Sequence, residues 1–492
     1  MIGALLLVLT LAPAVVVLGC LMLRSPRGAA ALNLAGGVVV FAAAVALILL
    51  ARGGSYRYWH DTILFDAPAA WVVLCAAIVY LLSAIYAIGY MPLLGEDQRL
   101  PGFYALFAGF ALAILISPLM NNAALYWIAI EATTLVSTFL VAFERVAESM
   151  EAAWKYIVVV SAGISLALFG TVLFYWSGSF SLGPAYDMTW DALLQAAPGM
   201  NPALVMFAFL LVLVGYGTKV GLAPMHTWLP DAHSESPAPI SAMLSGALLN
   251  AAMLGIVRFL RIADAAPTGG TPHIALVALG ALSLLVAALF IVRQESIKRL
   301  MAYSSVEHMG VIALGFGFGG VLGIAGALYH MLNHSLNKSL MFFGAGNMMR
   351  GFGSKEIRGI RRVGVHFPAQ AALWLAGAAA ITGAPPFGLF LSELAVLRAG
   401  LQHAFVWAVY LMAALLIVVF VGFLNHFRMM YWDEPEDAEA VATARAPVPP
   451  SRWCVVPMGL ALVPLLVLGL WWPQAVWEFF GHIAQSLRAA AP

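Results

Sequence analysis

Six side chains stand where proton chemistry could be done and little else could. Lys219 ends an apolar run that starts near Leu204, inside GYGTKVGLAPMHTWLPDAH. Glu131 sits in the middle of LYWIAIEATTLVSTFL, about ten residues past the point where a helix would start, so no capping role is open to it. His330, His334 and Lys338 recur at i, i+4 and i+8 in YHMLNHSLNKSLMFF and therefore share one helix face. Glu393 ends ITGAPPFGLFLSE, about two turns after the break at Thr382-Gly383 and Pro385-Pro386. A charge at the centre of a membrane helix costs about 2.5–3.5 kcal/mol on insertion scales, so an intramembrane ionisable group is a functional residue by default. The plainer reading of Lys219 is a lysine that snorkels to the interface before a proline ends its helix. The plainer reading of Glu131 is a carboxylate satisfied by neighbouring Ser and Thr. Metal binding by the histidine pair is the weaker alternative. The chain has no HExxH, no carboxylate follows on that face, and Lys338 repels a cation.

A weaker group of candidates surrounds these six. Asn250 lies in an apolar segment. Glu307 and His308 lie in SSVEHMG beside Ser304 and Ser305. His226 and His233 follow Lys219, and His426 closes a later segment. Glu144, Glu148 and Glu151 read as solvated loop residues, one of them facing a cytoplasmic proton inlet. No P-loop, CxxC or CxxCH is present, so cofactor binding is not expected. Cys20, Cys75 and Cys454 are isolated and read as small apolar residues.

The elements that carry these residues are membrane spans. The chain is 63% hydrophobic and 10% charged, with a mean hydropathy of +0.94; a soluble protein carries about 25% charged residues. Net charge is +1, which gives no footing for nucleic acid. Apolar segments of spanning length fall near 2–23, 29–51, 68–90, 101–118, 121–143, 154–176, 203–223, 238–260, 273–292, 302–318, 321–349, 369–399, 403–427 and 453–473. This is an all-α polytopic membrane protein of about 14 helices. The first segment has no basic n-region and reads as an uncleaved helix. Odd-numbered loops hold 16 Lys and Arg, and even-numbered loops with the C-terminus hold 6. By the positive-inside rule both termini face outward. The stretch 224–237 is expected along the membrane surface with Trp228 as interfacial anchor, and 433–451, acidic and Pro/Ala-rich, as a flexible cytoplasmic connection.

Segments seven and twelve each combine a Gly/Pro break with a buried charge: Lys219 before Gly221 and Pro224, and Glu393 after Gly383, Pro385 and Pro386. Matching interruptions in two halves are the sequence trace of an internal repeat. Each half has an odd number of helices, so the copies are inverted. The expected organisation is an N-terminal three-helix segment over 1–100, a first repeat over 101–262, a second, inverted repeat over 263–430, and a linker with a last helix over 431–492.

Read together, WIAIEATTL, KVGLAPMHTWLPDAH, SSVEHMG, HMLNHSLNKSLMFF and GAPPFGLFLSE resemble the antiporter-like, proton-translocating subunits of respiratory complex I and its relatives, over roughly residues 70–430. Within that group AIEATTLVSTFLVAF, EAAWKYIVV and NHSLNKS look most like the F-type subunit of hydrogenase-4, from the membrane arm of group 4 nickel–iron hydrogenases. The resemblance implies fourteen helices, two inverted five-helix repeats and broken helices seven and twelve. It implies that Glu131 pairs with Lys219, that Lys338 is the lysine of helix eleven with His330 and His334 before it, and that Glu393 is the helix-twelve site. Asn250 is a departure, because several members carry Lys or His there; water or His334 would bridge the middle of the path.

These residues together suggest a proton relay at mid-membrane. Desolvation works against the charge on Lys219 and the Glu131 carboxylate supports it. Protons would pass by way of His330 and His334 to Lys338 and Glu393. The chain has no redox centre of its own, so its partners are other membrane-arm subunits and peripheral redox subunits of nickel–iron hydrogenase or dehydrogenase type, in a prokaryotic inner membrane. The rival readings are a cation/proton antiporter subunit of the Mrp type, a membrane subunit of a bicarbonate-forming complex driven by the proton gradient, a structural anchor, and a metalloenzyme built on His226, His233, His308, His330 and His334.

Overall fold

The computed structural model describes residues 1–51, 54–402, 405–433 and 447–487. Helices α1 (Ile2–Met22), α2 (Pro26–Ala51), α3 (Ala67–Tyr90), α4 (Leu100–Ile116), α5 (Ala123–Val141) and α6 (Ala147–Leu182) lead to a short α7 (Trp190–Ala196). Then follow α8 (Pro202–Val220), α9 (Trp228–Glu235), α10 (Ala238–Met243), α11 (Leu249–Ala265), α12 (Thr271–Ile291), α13 (Ile297–Phe318) and α14 (Gly320–Phe352). The chain closes with α15 (Val363–His366), α16 (Pro368–Ile381), α17 (Gly388–Leu401), α18 (Val406–Trp432), α19 (Arg452–Leu470) and α20 (Gln474–Leu487). Each of the fourteen expected segments falls on a helix. Eleven helices among the described residues are long and apolar enough to cross a membrane, α10 and α11 counting as one continuous helix. α13 and α14, which carry buried Glu, His, Asn and Lys, are not among them, nor are α16 and α17, which a break divides.

Helix α14 is the hub. It packs against α3, α10, α13, α16, α17, α19 and α20, and it is buried without interruption from Gly323 to Met348. Polar side chains on it are therefore held inside protein, the one place in a membrane where they can be afforded. Small residues let neighbours close in, as in membrane helix pairs generally. A Cβ on Gly310 of α13 would lie 2.8 Å from Gly280 O on α12, so only glycine permits that crossing.

Two helices are interrupted. α8 stops at Gly221, with φ +83°, and the chain runs through Leu222–Thr227 before α9. α16 stops before Gly383, with φ +67°, and α17 resumes at Gly388. Both breaks contain a cis X-Pro bond, Ala223–Pro224 and Pro385–Pro386.

Loops collect at two ends. Tyr90, Glu144, Glu235, Lys298, Arg350 and Lys355 line a cavity of about 240 Å³ at one end. Asp66, Trp190, Asp191, Arg258 and Arg261 line one of about 190 Å³ at the other, where Arg258 holds Asp66 through two hydrogen bonds of 3.0 Å. These are the two sets of loops that the charge count separated.

Four features depart from expectation. Most of the stretch 224–237 does not lie on the surface: Pro224 and Thr227 are exposed, but Trp228, Leu229, Pro230, Ala232, His233 and Ser234 of α9 are buried. A short hairpin pairs Tyr56–Tyr58 with Ile63–Phe65. α6 begins at Ala147, so Glu148 and Glu151 are exposed residues of its first turns, while Glu144 is half-buried in the cavity. α20 was not expected; Phe480, Ile483, Ala484 and Leu487 form its buried stripe, and Phe480 meets the Trp71 ring edge-on at 4.8 Å. Residues 434–446 of the acidic connection lie outside the described residues.

Candidate functional site

The first cluster forms where α5 and α6 meet the broken end of α8. Lys219, in the last turn of α8, is fully buried. Its Nζ donates to Thr134 Oγ1 at 2.8 Å and to Tyr156 OH at 2.9 Å, and lies 5.1 Å from the centre of the Tyr156 ring. Thr134 Oγ1 in turn donates to Glu131 Oε2 at 3.1 Å, and Ser161 Oγ donates to Glu131 Oε1 at 2.7 Å. Ser137 and Tyr156 share a further bond of 2.7 Å. Glu131, Thr134 and Ser137 succeed one another at i, i+3 and i+6, so one face of α5 presents the whole set. The expected pairing of Glu131 with Lys219 thus runs through the Thr134 hydroxyl. Among the described residues no carboxylate lies within ion-pair distance of Lys219, and the Thr134 hydroxyl joins the two.

The break makes room for this arrangement and is itself paired. Ending α8 frees backbone groups that a membrane interior cannot satisfy. Trp228 Nε1 takes up Thr218 O at 2.7 Å, its ring packing 4.8 Å from that of Tyr156, and Ala223 N–H donates to Ser283 Oγ at 2.8 Å. Trp228 is therefore a cap for the broken helix, buried because its partner is.

The second cluster lies between α13, α14 and α17. Lys338 Nζ donates to Met301 O at 3.1 Å and to Ser304 Oγ. His308 Nδ1 and His330 Nε2 are 2.9 Å apart, and His330 Nδ1 is 2.9 Å from Ser392 Oγ. Ser392 also donates to Leu389 O at 2.8 Å. Its hydroxyl proton is thereby committed, so His330 donates through Nδ1–H and accepts through Nε2 from His308 Nδ1–H. His308 Nε2 then carries a free lone pair, and among the described residues it has no partner. Both oxygens of Glu307 and Oε1 of Glu393 are in the same position. A Cβ on Gly383 would fall 2.1 Å from Glu393 Oε2, so the second break is what admits this carboxylate. Buried polar groups without partners are rare and each asks for an explanation; four such atoms lie on this cluster.

Between the two clusters a π turn, Leu244–Leu248, joins α10 to α11. Such turns recur at functional positions. It carries Ser245, whose carbonyl meets His334 Nε2 at 3.3 Å and whose hydroxyl meets Ser305 at 2.8 Å. Asn250 Nδ2 donates to Ser335 Oγ at 2.9 Å and to Gly246 O at 3.2 Å, while its Oδ1 has no partner among the described residues.

Five of the six leading candidates fall in the two clusters and His334 stands between them; His330, His334 and Lys338 all reach α13 from one face of α14. His330 faces α13 and α17, His334 faces the π turn, and Lys338 faces the start of α13. Glu307 and His308, ranked lower from sequence, sit at the centre: the ring of His308 lies 5.0 Å from that of His330 and 5.3 Å from that of His334, and Glu307 is fully buried beside it on α13. His226 lies in the first break, its ring 6.2 Å from that of Tyr303, and His233 is fully buried beside α14. His426 bonds Ile291 O at 2.8 Å, away from both clusters. Thr134, Tyr156, Ser161 and Ser392 were not singled out. Their only signal was i+3 spacing for Thr134; the rest are set by tertiary contact. One expectation is overturned: a carboxylate does reach the histidine face, since the ligand atoms of His308, His330 and Glu393 all lie within 4.8 Å of one another. That spacing could seat a divalent ion, against the charge of Lys338 nearby.

Two broken helices, the buried Lys219 and Lys338, and carboxylates held inside the bundle define a membrane subunit of the antiporter type. The chain belongs to the NADH:quinone oxidoreductase/Mrp antiporter transmembrane family, whose model matches residues 120–420. It is 37% identical over 387 residues to a hydrogenase-4 component F homolog of Methylacidiphilum infernorum, covering 78% of each chain. Its fold matches that of a chain in the archaeal membrane-bound sulfane sulfur reductase, with a TM-score of 0.87 at 22% identity over 99% of this chain and 98% of the other. A chain of the Mrp complex from Dietzia sp. matches with a TM-score of 0.83 at 21% identity over 97% of both. This is an antiporter-like membrane subunit of the complex I, group 4 hydrogenase and Mrp family.

Proposed function

We propose that the chain moves protons through the two clusters, driven by electron transfer in partner subunits of a group 4 hydrogenase type of complex. The carrying observation is the run of acid–base groups bridged by hydroxyls, fully or largely buried apart from the half-buried Glu131. Glu131, Thr134, Lys219 and Tyr156 form one half, and Lys338, Glu307, His308, His330 and Glu393 the other. Asn250, Ser335, His334 and Ser245 stand between them. Similarity to the hydrogenase-4 component F homolog supports the choice of complex. In this reading the halves are two inverted five-helix repeats, 101–262 and 263–430, both termini lie outside in a prokaryotic inner membrane, and the chain needs no cofactor.

Proton transfer proceeds by charge separation. With Glu131 neutralised or drawn off, the ammonium of Lys219 loses the support that reaches it through Thr134 and gives up its proton along the row. The groups titrate as a set, not singly. The test is Lys219→Ala beside Lys219→Arg, measured as redox-driven proton uptake by vesicles with matched assembly. Both variants should fail, because Arg keeps its proton throughout the working range. Full pumping by the Arg variant excludes Lys219 as a relay. Likeness to the Mrp chain supports a second reading, sodium exchange by the same groups. Flux that requires sodium would favour it.

A further inference from the structure

At the end where the odd-numbered loops gather, the cavity of about 240 Å³ does not stop at the surface. Room of that size holds several waters, each of about 30 Å³. Two ion pairs frame its mouth: Arg350 to Glu144 at 3.0 Å and Lys355 to Glu235 at 2.7 Å. Its inner wall is Lys298, which is only 2% exposed and has no carboxylate within ion-pair distance among the described residues. Two of its N–H groups are held by Ser234 O, at 3.0 Å, and by Ser236 O. Both carbonyls flank the end of α9, and Ser241 Oγ bonds back to His233 O at 2.8 Å.

Behind them stands His233. It is fully buried, and neither ring nitrogen has a partner among the described residues. Its ring packs edge-on against Phe342, 5.3 Å away and one helical turn past Lys338 on α14. A purely structural aromatic at this position, between Trp228 and Phe342, would pack as well without nitrogens. A purely structural donor to two carbonyls would not need a buried ammonium, which is costly without a counter-charge.

We infer that this cavity, Lys298 and His233 form an inlet that carries protons from the cytoplasmic end to Lys338 without passing Lys219. The inference rests on the relay reading above. Lys298 gives a proton, by way of water, to one ring nitrogen of His233 and is reprotonated from the cavity. His233 gives up the proton of its other nitrogen towards Lys338, so the imidazole ends neutral and one proton has moved. Histidine suits the task because its two nitrogens can be loaded and unloaded from opposite sides.

His233→Phe keeps the ring packing and removes the carrier. Lys298→Arg keeps the charge and the carbonyl bonds but does not release a proton. In the assembled complex each should lower proton flux about 100-fold or more, the lower end of what a positioned proton-transfer group contributes, with unchanged assembly and melting temperature. Ser354→Cys, at the cavity rim, should be blocked by a charged membrane-impermeant thiol reagent applied from the cytoplasmic side, and flux should fall with labelling. Full flux in His233→Phe or in Lys298→Arg overturns the inlet, as does labelling of Ser354→Cys from the outer side only. The relay is judged separately: if Lys219→Ala and Lys338→Ala both keep full flux, that reading fails whatever His233 does.

Discussion

Thr134→Val is a narrow test of the first cluster. Valine has the shape of threonine and lacks only the hydroxyl. That hydroxyl accepts from Lys219 Nζ at 2.8 Å and donates to Glu131 at 3.1 Å. Each ion keeps one other partner, Tyr156 for Lys219 and Ser161 for Glu131, so the variant should fold. A hydrogen bond to a charged group contributes about 1.5–3 kcal/mol. Loss of one such bond in the charge-separated state corresponds to about 10- to 150-fold in rate, at about 1.4 kcal/mol per tenfold. Redox-driven proton uptake by inverted vesicles, normalised to assembled complex, reads this directly. Thr134→Ser restores the hydroxyl and should restore most of the rate. The coupling between Glu131→Gln and Lys219→Ala in a double-mutant cycle should shrink in the valine background. Equal rates for the valine and serine variants, near that of the parent, would refute the bridging role, because the bridge would then be packing alone.

The other perturbations address the second cluster, the break and the topology. Glu393→Gln should block release while Glu393→Lys is tolerated better, since a lysine still carries a proton; the reverse order in reconstituted flux would mean that Glu393 acts as a fixed counter-charge. Trp228→Phe leaves Thr218 O without its indole partner and should cost about 1–3 kcal/mol, read as a lower melting temperature in detergent, and an unchanged melting temperature would show the bond to be redundant. Reporter fusions after Gly353 and Gly183 should report opposite sides, cytoplasmic for Gly353; the same side for both would break the proposed topology.

Hydropathy made the spans legible because a helix facing lipid must be largely apolar, and each expected segment falls on a helix, even α13 and α14, whose polar groups are buried inside protein. What it missed follows a different rule. Trp228 reads as an interfacial anchor because aromatic residues collect at membrane surfaces. Its burial depends on the Thr218 carbonyl, which accepts from Gly221 N–H and the indole and lacks its i+4 partner because α8 breaks at Gly221. α20 is too polar on one face to register as a span, and its signal is the i, i+3, i+4, i+7 stripe of Phe480, Ile483, Ala484 and Leu487. Both elements are set by amphipathic or local pairing, to which a count of apolar residues is blind.

The site divides in the same way. Lys219, Glu131, Lys338 and Glu393 are visible in sequence because an unpaired charge in an apolar helix has no cheap explanation. Thr134, Tyr156, Ser161 and Ser392 are invisible because a hydroxyl in a membrane helix can bond its own backbone four residues back, as Thr171 does, and so carries no message by itself. Yet these hydroxyls decide how the charges are connected. Without Thr134 the carboxylate and the ammonium would be separate; without Ser392 the tautomer of His330 would be undetermined, and with it the lone pair on His308. Charges mark where a proton can rest, and neutral donors contributed by neighbouring helices set which way it can move. Only the folded chain brings the second kind to the first, which is why Glu307 and His308, ordinary in sequence, stand at the centre once α13 is packed against α14 and α17.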